Sequence, residues 1–328
     1  MADPLKICIT GGSGFLGTRL IKILVKQGAD IQNIDKNQSE VFPSVTTVQD
    51  IRDLVGLKNA MQPASFVVHL AAEHKDDVFP GSLYYDVNVQ GTKNILDAMD
   101  HRGITGLIFT STVAVYGLNK DNPDENFIPD PFNHYGKSKW QAEELIREWQ
   151  QKGSGRCAVI LRPSVIFGET NRGNVYNLLR QMSTGRFLMI GSGKNEKSMA
   201  YVGNVAAFIA YLSGKMQPGI AVYNYTDLPN LTTKELIGIV RTELDLKIPP
   251  VRIPYFLGLS AGYFFDLASL LLHKKLNISS VRIRKFCATT RFNAGKAHES
   301  GFHAPYPFKK ALQETIRFEF SNHDNKGN

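Results

Sequence analysis

The chain has 328 residues, 43% of them apolar, with 38 Lys and Arg against 30 Asp and Glu, a net charge of +8. That length supplies a sizeable core in one large or two small domains, and no segment is repeated or low in complexity, which excludes a disordered or repeat-built protein. The positive balance leaves nucleic acid, a membrane surface or an anionic small molecule open, and no run of Lys and Arg interleaved with aromatics in the first half argues for nucleic acid.

The first predicted strand is Leu5-Lys6-Ile7-Cys8-Ile9. It leads into Thr10-Gly11-Gly12-Ser13-Gly14-Phe15-Leu16-Gly17, and then into a helix with apolar positions at helical spacing from Thr18 to Lys26. Strand, glycine turn and helix together form a pyrophosphate cradle: the glycines let the backbone approach the ligand, and the helix N-terminus offers free N–H groups. The next apolar stretch ends at Ile34-Asp35, about 20 residues beyond the turn, where a carboxylate accepts hydrogen bonds from an adenosine ribose. Asp35 favours NAD, while the adjacent Lys36 keeps NADP open.

Val45 to Ile51 reads as a strand ending at Asp50, which suits either the adenine amino group or a helix cap. Ser65 to Ala72 reads as a buried strand running into small residues, with His69 expected as a hydrogen-bonded strand-end histidine rather than a catalyst. A helix is predicted over Leu83 to Met99. Its polar Asn88, on an apolar face, needs a partner when buried and is expected to brace the turn beyond the glycine loop or to orient the active site. Gly106 to Thr112 is a strand ending in three hydroxyls, Thr110, Ser111 and Thr112, at the sheet edge where open α/β folds bind ligands.

After a loop from Asn119 to Asn133, Tyr135-Gly136-Lys137-Ser138-Lys139 opens a helix reaching about Gln150. Residues four apart share a helical face, so Tyr135 and Lys139 point into one site. An ammonium beside a tyrosine lowers the phenol pKa and prepares it to take a proton. Arg156 to Ile160 is the next strand, followed by Leu161 to Gly168. Beyond it the alternation fades. Helices are expected over Gly173 to Gly185 and Thr232 to Leu244, Tyr201 to Val205 leads into an apolar helix to Leu212, and strands are expected at Leu188 to Ile190 and Ala221 to Tyr225.

Pro254 to Leu272 is rich in Tyr, Phe and Leu and is followed by His273-Lys274-Lys275. Its proline, two glycines and Asp266 argue against a membrane span. It is read as a buried or substrate-covering helix, with membrane-surface contact through 254–272 as the less favoured alternative. The scattered cysteines Cys8, Cys157 and Cys287 form no CxxC pair, and the N-terminus enters the first strand without a signal segment, so a cytoplasmic protein is expected.

These pieces resemble the extended short-chain dehydrogenases/reductases of the NAD-dependent epimerase/dehydratase family. The resemblance rests on TGGSGFLG (10–17), Asp35, Asp50-Ile51, HLAA (69–72), VNVQGT (87–92), FTSTVAVYG (109–117), YGKSK (135–139) and LRPSVIFG (161–168), with weaker echoes at VYN (222–224) and NAGKA (293–297). It implies an α/β Rossmann fold, a doubly wound parallel sheet with a smaller, discontinuous C-terminal substrate-binding region. Residues 1–168 would be the dinucleotide domain, rejoined by 195–225, and 169–194 with 226–328 the substrate region. It implies NAD, a nucleotide-diphosphate sugar and a homodimer pairing the helices of residues 87–99 and 135–150. By motif match the catalytic residues would be Thr112, Tyr135 and Lys139.

The cofactor-binding set would be Gly11, Ser13, Gly14, Phe15, Leu16, Gly17, Asp35, Asp50, Ile51, Leu70, Ala71, Ala72, Asn88, Thr110, Tyr135, Lys139, Pro163 and Val165. Substrate candidates are His74, Ser111, Thr112, Asn171, Arg172 and Arg282, with Lys75, Asp76, Asp77 and Val113 beside them; no metal is implied. Sugar dehydratases and decarboxylating members place carboxylates after the catalytic hydroxyl. Here those positions are Val113 and Ala114, which implies hydride chemistry at one carbon, C4, without water loss. The family arginine that grips a diphosphate has no clear match, leaving Arg282, Arg284 and Arg291 as candidates. The expected activity is a UDP-hexose or UDP-N-acetylhexosamine 4-epimerase. The alternatives are a 4-keto-sugar reductase using NADH or NADPH, or a non-catalytic dinucleotide sensor.

Overall fold

Period-two alternation with both faces apolar builds the centre of the molecule. In β1 (Lys6–Thr10), Ile7 and Ile9 join one buried cluster with Leu20, Ile21 and Leu24 of α1 (Phe15–Lys26), while Cys8 faces a second cluster containing Ile95, Met99, Phe109 and Ile146. Burial on both faces is what a parallel sheet covered by helices on each side requires. The computed structural model describes residues 4–75, 78–185, 187–247, 252–272 and 279–321.

Six further strands join β1, all parallel: β2 (Asp30–Asp35), β3 (Thr46–Val48), β4 (Phe66–His69), β5 (Gly106–Thr110), β6 (Cys157–Pro163) and the strand Gly219–Tyr225. The spatial order runs from Gly219–Tyr225 through β6, β5, β4, β1 and β2 to β3. The order reverses between β1 and β4, so the chain leaves these neighbours in opposite directions and opens a crevice at their carboxyl ends. The glycine turn follows β1 and Leu70-Ala71-Ala72 follows β4, which puts both at the mouth of that crevice.

The expected strand from Val45 to Ile51 is shorter than its apolar residues suggest. Only Thr46–Val48 pairs with β2, and Asp50 falls after it. The helix cap goes to Asp53, whose carboxylate accepts from the Gly56 N–H at 3.0 Å and opens α2 (Leu54–Ala60). The helix expected over 83–99 runs as α3 (Ser82–Tyr85), a π-helical turn at Asp86–Gln90 and α4 (Gly91–Arg102).

The C-terminal residues build a second core beside the sheet, in which Phe167, Val175, Leu179, Met199, Leu236, Phe308, Leu312 and Phe320 are buried. Helix Tyr255–Leu272 packs on helix Ser280–Cys287 at the margin of this lobe. It corrects the expectation of a buried helix. Phe256, Tyr263, Phe264, Leu267 and Leu270 are exposed, because the inner face of this helix is built from Gly258, Gly262, Phe265 and Ser269, which already fit against the lobe. Among the described residues, no helix is long and apolar enough to cross a membrane.

Candidate active site

The glycine turn is shaped by contacts that leave no room for side chains. Gly11 has φ +77°, and a Cβ there would stand 2.5 Å from the Ala71 nitrogen; one on Gly17 would stand 2.4 Å from the Gly12 Cα. The turn is therefore pressed against the 70–72 segment and against the first turn of α1, which Gly14 caps and Phe15 and Leu16 begin. Two side chains of β2 hold it from beneath. Asn33 Oδ1 accepts from the Gly12 N–H at 2.9 Å, and Asp35 accepts from the N–H groups of Ser13 and Asn37 at 3.0 and 2.9 Å. Asn33 is a residue that sequence reasoning missed; its only signal was a polar side chain inside a buried strand.

His69 is buried at the end of β4. Thr92 Oγ1 donates to the Asn88 carbonyl at 2.6 Å, so it accepts from His69 Nε2 at 3.1 Å, and Nδ1 accepts in turn from Thr10 Oγ1 at 2.8 Å. Burial and the nearby Lys139 charge push the ring well below its ordinary pKa and keep it neutral. Asn88 sits in the π turn and ties two parts of the site together. Its Oδ1 accepts from the Glu73 N–H at 2.8 Å, and its Nδ2 donates to the Glu73 carbonyl at 3.0 Å and to Ser138 Oγ at 2.9 Å. The segment after β4 is thereby fixed to α5 (His134–Gln151).

Asn133 caps α5, accepting from the Gly136 N–H at 2.8 Å. Gly136 lets this helix lie against the 113–116 turn, since a Cβ would meet the Ala114 carbonyl oxygen at 2.7 Å. Tyr135 in its first turn is thus set beside the segment that begins with Thr112. Thr112 Oγ1 accepts from the Ala114 N–H at 3.1 Å, so its own proton is free for another acceptor. Lys139, one turn on, is 2% exposed, with Nζ 4.0 Å from the Phe109 ring centroid. Burial pushes its pKa down to about 7, against the pull of Glu143.

Below Lys139 lies a buried ionic network that the sequence left unassigned. Arg162 holds Glu143 through two bonds, Nε to Oε1 at 2.9 Å and Nη2 to Oε2 at 2.6 Å. Ser111 donates to the same carboxylate at 2.6 Å. Arg162 also donates to Tyr116 Oη at 2.8 Å, and Tyr116 donates to Asn224 at 2.7 Å. The series 135, 139, 143 on one helical face was a legible signal for Glu143; its partner on β6 was not.

Thr110 Oγ1 and Ser164 Oγ, at the carboxyl ends of β5 and β6, are buried without a hydrogen-bond partner among the described residues. Unsatisfied buried hydroxyls at a sheet edge call for a ligand or water. Pro163 is buried beside Ser164, and Val165 is partly exposed at the start of the strand Val165–Phe167. Asp50 is turned to Arg52, whose guanidinium lies 2.6 Å away and holds the carboxyl below its ordinary range. Ile51 is buried beneath Gly91.

The substrate candidates are less gathered. His74 is exposed, its N–H bonded to Glu73. Asn171 folds back on the Ile166 carbonyl and the Gly173 N–H, and Arg172 pairs with Glu319 at 2.7 Å. Asp76, Asp77 and the side chain of Arg282 lie outside the described residues. Arg284 contacts Tyr263, and Arg291 pairs with Asp121 at 3.3 Å.

The family model for the NAD dependent epimerase/dehydratase family matches residues 7–224. The chain belongs to that family. It is an NAD-dependent enzyme, and its glycine turn, pressed to backbone with no space for a Cβ, and its two orphaned hydroxyls fit a dinucleotide at the crevice. The chain is 54% identical, over 96% of its length and 95% of the relative's, to N-acetyl-alpha-D-glucosaminyl-diphospho-ditrans,octacis-undecaprenol 4-epimerase of Escherichia coli O157:H7. It is 27% identical to 3beta-hydroxysteroid-dehydrogenase/decarboxylase isoform 1 of Arabidopsis thaliana, over 94% of this chain and 78% of that one. Its fold matches the crystal structure of UDP-N-acetylglucosamine 4-epimerase from Bacillus cereus with a TM-score of 0.73 at 21% identity, over 96% of this chain and 99% of that one.

Proposed function

We propose that the protein is a 4-epimerase acting on an N-acetylhexosamine joined through a diphosphate to a polyprenyl carrier. The observation that carries this reading is the 54% identity, over nearly the full length of both chains, to a 4-epimerase named for such a substrate. The broader class is a sugar on a diphosphate, inverted at C4, to which nucleotide sugars also belong.

Bound NAD would take a hydrogen with its electron pair from C4 and give it back; the rest falls to the side chains. Gly11, Ser13, Gly14, Gly17 and Asp35 would hold the dinucleotide, with Leu70, Ala71, Ala72 and Thr110 beside it. Tyr135 takes the proton of the C4 hydroxyl. Lys139 supplies the positive charge that favours the phenolate, and Thr112, whose oxygen already accepts from Ala114, donates its proton to the sugar oxygen. Ser111 and Asn88 act through others: Ser111 anchors Glu143 below Lys139, and Asn88 positions Ser138 and the 73 backbone. Val113 and Ala114 offer no acid or base, so no water is lost from the sugar. Inversion requires the hydrogen to return to the opposite face, so the 4-keto sugar turns over while its diphosphate stays bound.

The free cysteines suit a reducing compartment, and we place the enzyme in the cytoplasm as a homodimer pairing the helices of residues 87–99 and 135–150. The test is conversion of polyprenyl-diphosphate-N-acetylglucosamine to the galacto product by the purified protein, with no added NADH. Retention of the C4 hydrogen label in the product is expected. Label loss, or activity only with added NADH on a 4-keto sugar, would replace the epimerase with a reductase. Tyr135→Phe should lower kcat about 10²–10⁴-fold while leaving NAD bound; an unchanged rate removes Tyr135 as the base.

A further inference from the structure

Helix Tyr255–Leu272 presents an outward stripe that nothing else in the described chain covers. Phe256, Tyr263, Phe264, Leu267 and Leu270 fall within one face at 3.6 residues per turn, and Phe264, Leu267 and Leu270 are 67%, 56% and 69% exposed. Its inner face is narrow and fixed. A Cβ on Gly262 would stand 2.8 Å from the Ser280 Cα, so the helix lies close on Ser280–Cys287. Asp266, the one acidic residue of the helix, is turned inward and accepts from the Ser280 N–H at 3.2 Å. The outward stripe therefore carries no charge, while cations stand around it. Arg284 reaches Tyr263, and Arg252 is exposed just before the helix.

We propose that this stripe docks the enzyme on an anionic membrane surface, with the aromatic and leucine side chains in the headgroup–acyl boundary and the cations against lipid phosphates. The proposal rests on the polyprenyl-linked substrate, which resides in such a membrane. An apolar face with basic flanks gains from both terms of interfacial binding, buried apolar area and attraction to anionic lipid. The helix is too broken by glycines and too short of apolar length to span. The lobe continues directly to the site: five residues after Cys287, Phe292 stacks on Tyr116 with centroids 6.1 Å apart. Docking here would bring the enzyme to a substrate whose polyprenyl tail stays in the bilayer.

The experiment is flotation of the full chain with vesicles of phosphatidylethanolamine and phosphatidylglycerol, and with phosphatidylcholine alone. The native chain is compared with Phe264→Glu/Leu267→Glu and with Phe318→Glu, a control at an exposed apolar residue elsewhere. NAD content and melting temperature confirm that each variant is folded. The native chain and the control should float with the anionic vesicles and less with phosphatidylcholine, and the double variant should bind at least about tenfold more weakly. Equal flotation of the native and double-variant chains, no flotation of the native chain, or a dimer that only the double variant dissolves overturns the proposal. Conversion of a short-chain, water-soluble polyprenyl-diphosphate sugar is measured in parallel. Conversion without flotation overturns the docking and leaves the substrate reading standing; flotation without conversion upholds the docking and overturns the substrate reading.

Discussion

Lys139 shows how far a single residue can be read before its surroundings are known. Its spacing from Tyr135 marks it as a site residue, but only burial beside Phe109 brings its pKa down to about 7 from an ordinary value of 10.5. The sign follows from linkage. Between about pH 7 and 10.5 the unfolded chain keeps a proton that the folded chain gives up, so this group makes the fold more stable as pH rises. Lys197, pushed down to about 8 by burial, acts in the same direction. Urea unfolding from pH 6.5 to 9.5 should therefore show a rising midpoint, and Lys139→Met should flatten the rise and add stability, by a few kcal/mol, mainly at the low-pH end. An identical slope in the variant would mean that Lys139 does not titrate there. His69 and Ser111 make the complementary point. One was legible as a satisfied histidine, and its partners Thr10 and Thr92 bear that out. The other, read as a substrate contact, donates to a carboxylate no local pattern linked to it.

At the scale of elements, the glycine turn carried its geometry in its sequence. Glycines are required where backbone meets backbone, and the contacts at Gly11 and Gly17 are of that kind. Gly17→Ala would force a Cβ to 2.4 Å from the Gly12 Cα, and neither atom belongs to a flexible side chain. Its NAD retention, measured by absorbance of the supernatant after denaturation, should fall at least about tenfold, since the turn must open to admit the methyl. Full retention would mean that the turn does not contact the cofactor. Helix α5 is tied to β6 by the Glu143–Arg162 pair, buried on both sides. Removing one partner of a buried pair strands a charge, so Arg162→Met should lower stability by about 3–5 kcal/mol, read from chemical denaturation. The π turn at 86–90 was not legible, because its extra residue per turn is set by Asn88 reaching both Glu73 and Ser138, not by helical propensity.

At the scale of the molecule, the pairing of helices 87–99 and 135–150 would leave the 255–272 helix outside the dimer interface. Light scattering after gel filtration should give twice the 36.5 kDa chain mass, and Phe264→Glu/Leu267→Glu should not change it. A monomer would set the dimer aside, and a monomer from the double variant alone would place the interface on the stripe.

The sequence by itself determined the alternation of strands and helices, the cradle at 10–17 and the Tyr135–Lys139 face. Each depends on period, on the absence of a side chain or on spacing along one element. Tertiary structure alone decided the rest. Asn33 under the turn, Arg162 under Glu143 and the orphaned Thr110 and Ser164 come together across 19 to 54 residues of chain only when the sheet forms. The 255–272 helix shows the same division: its apolar richness was plain from composition, but composition has no direction. Only packing of its small inner face against Ile190 and Ser280 shows that the large side chains are left facing out.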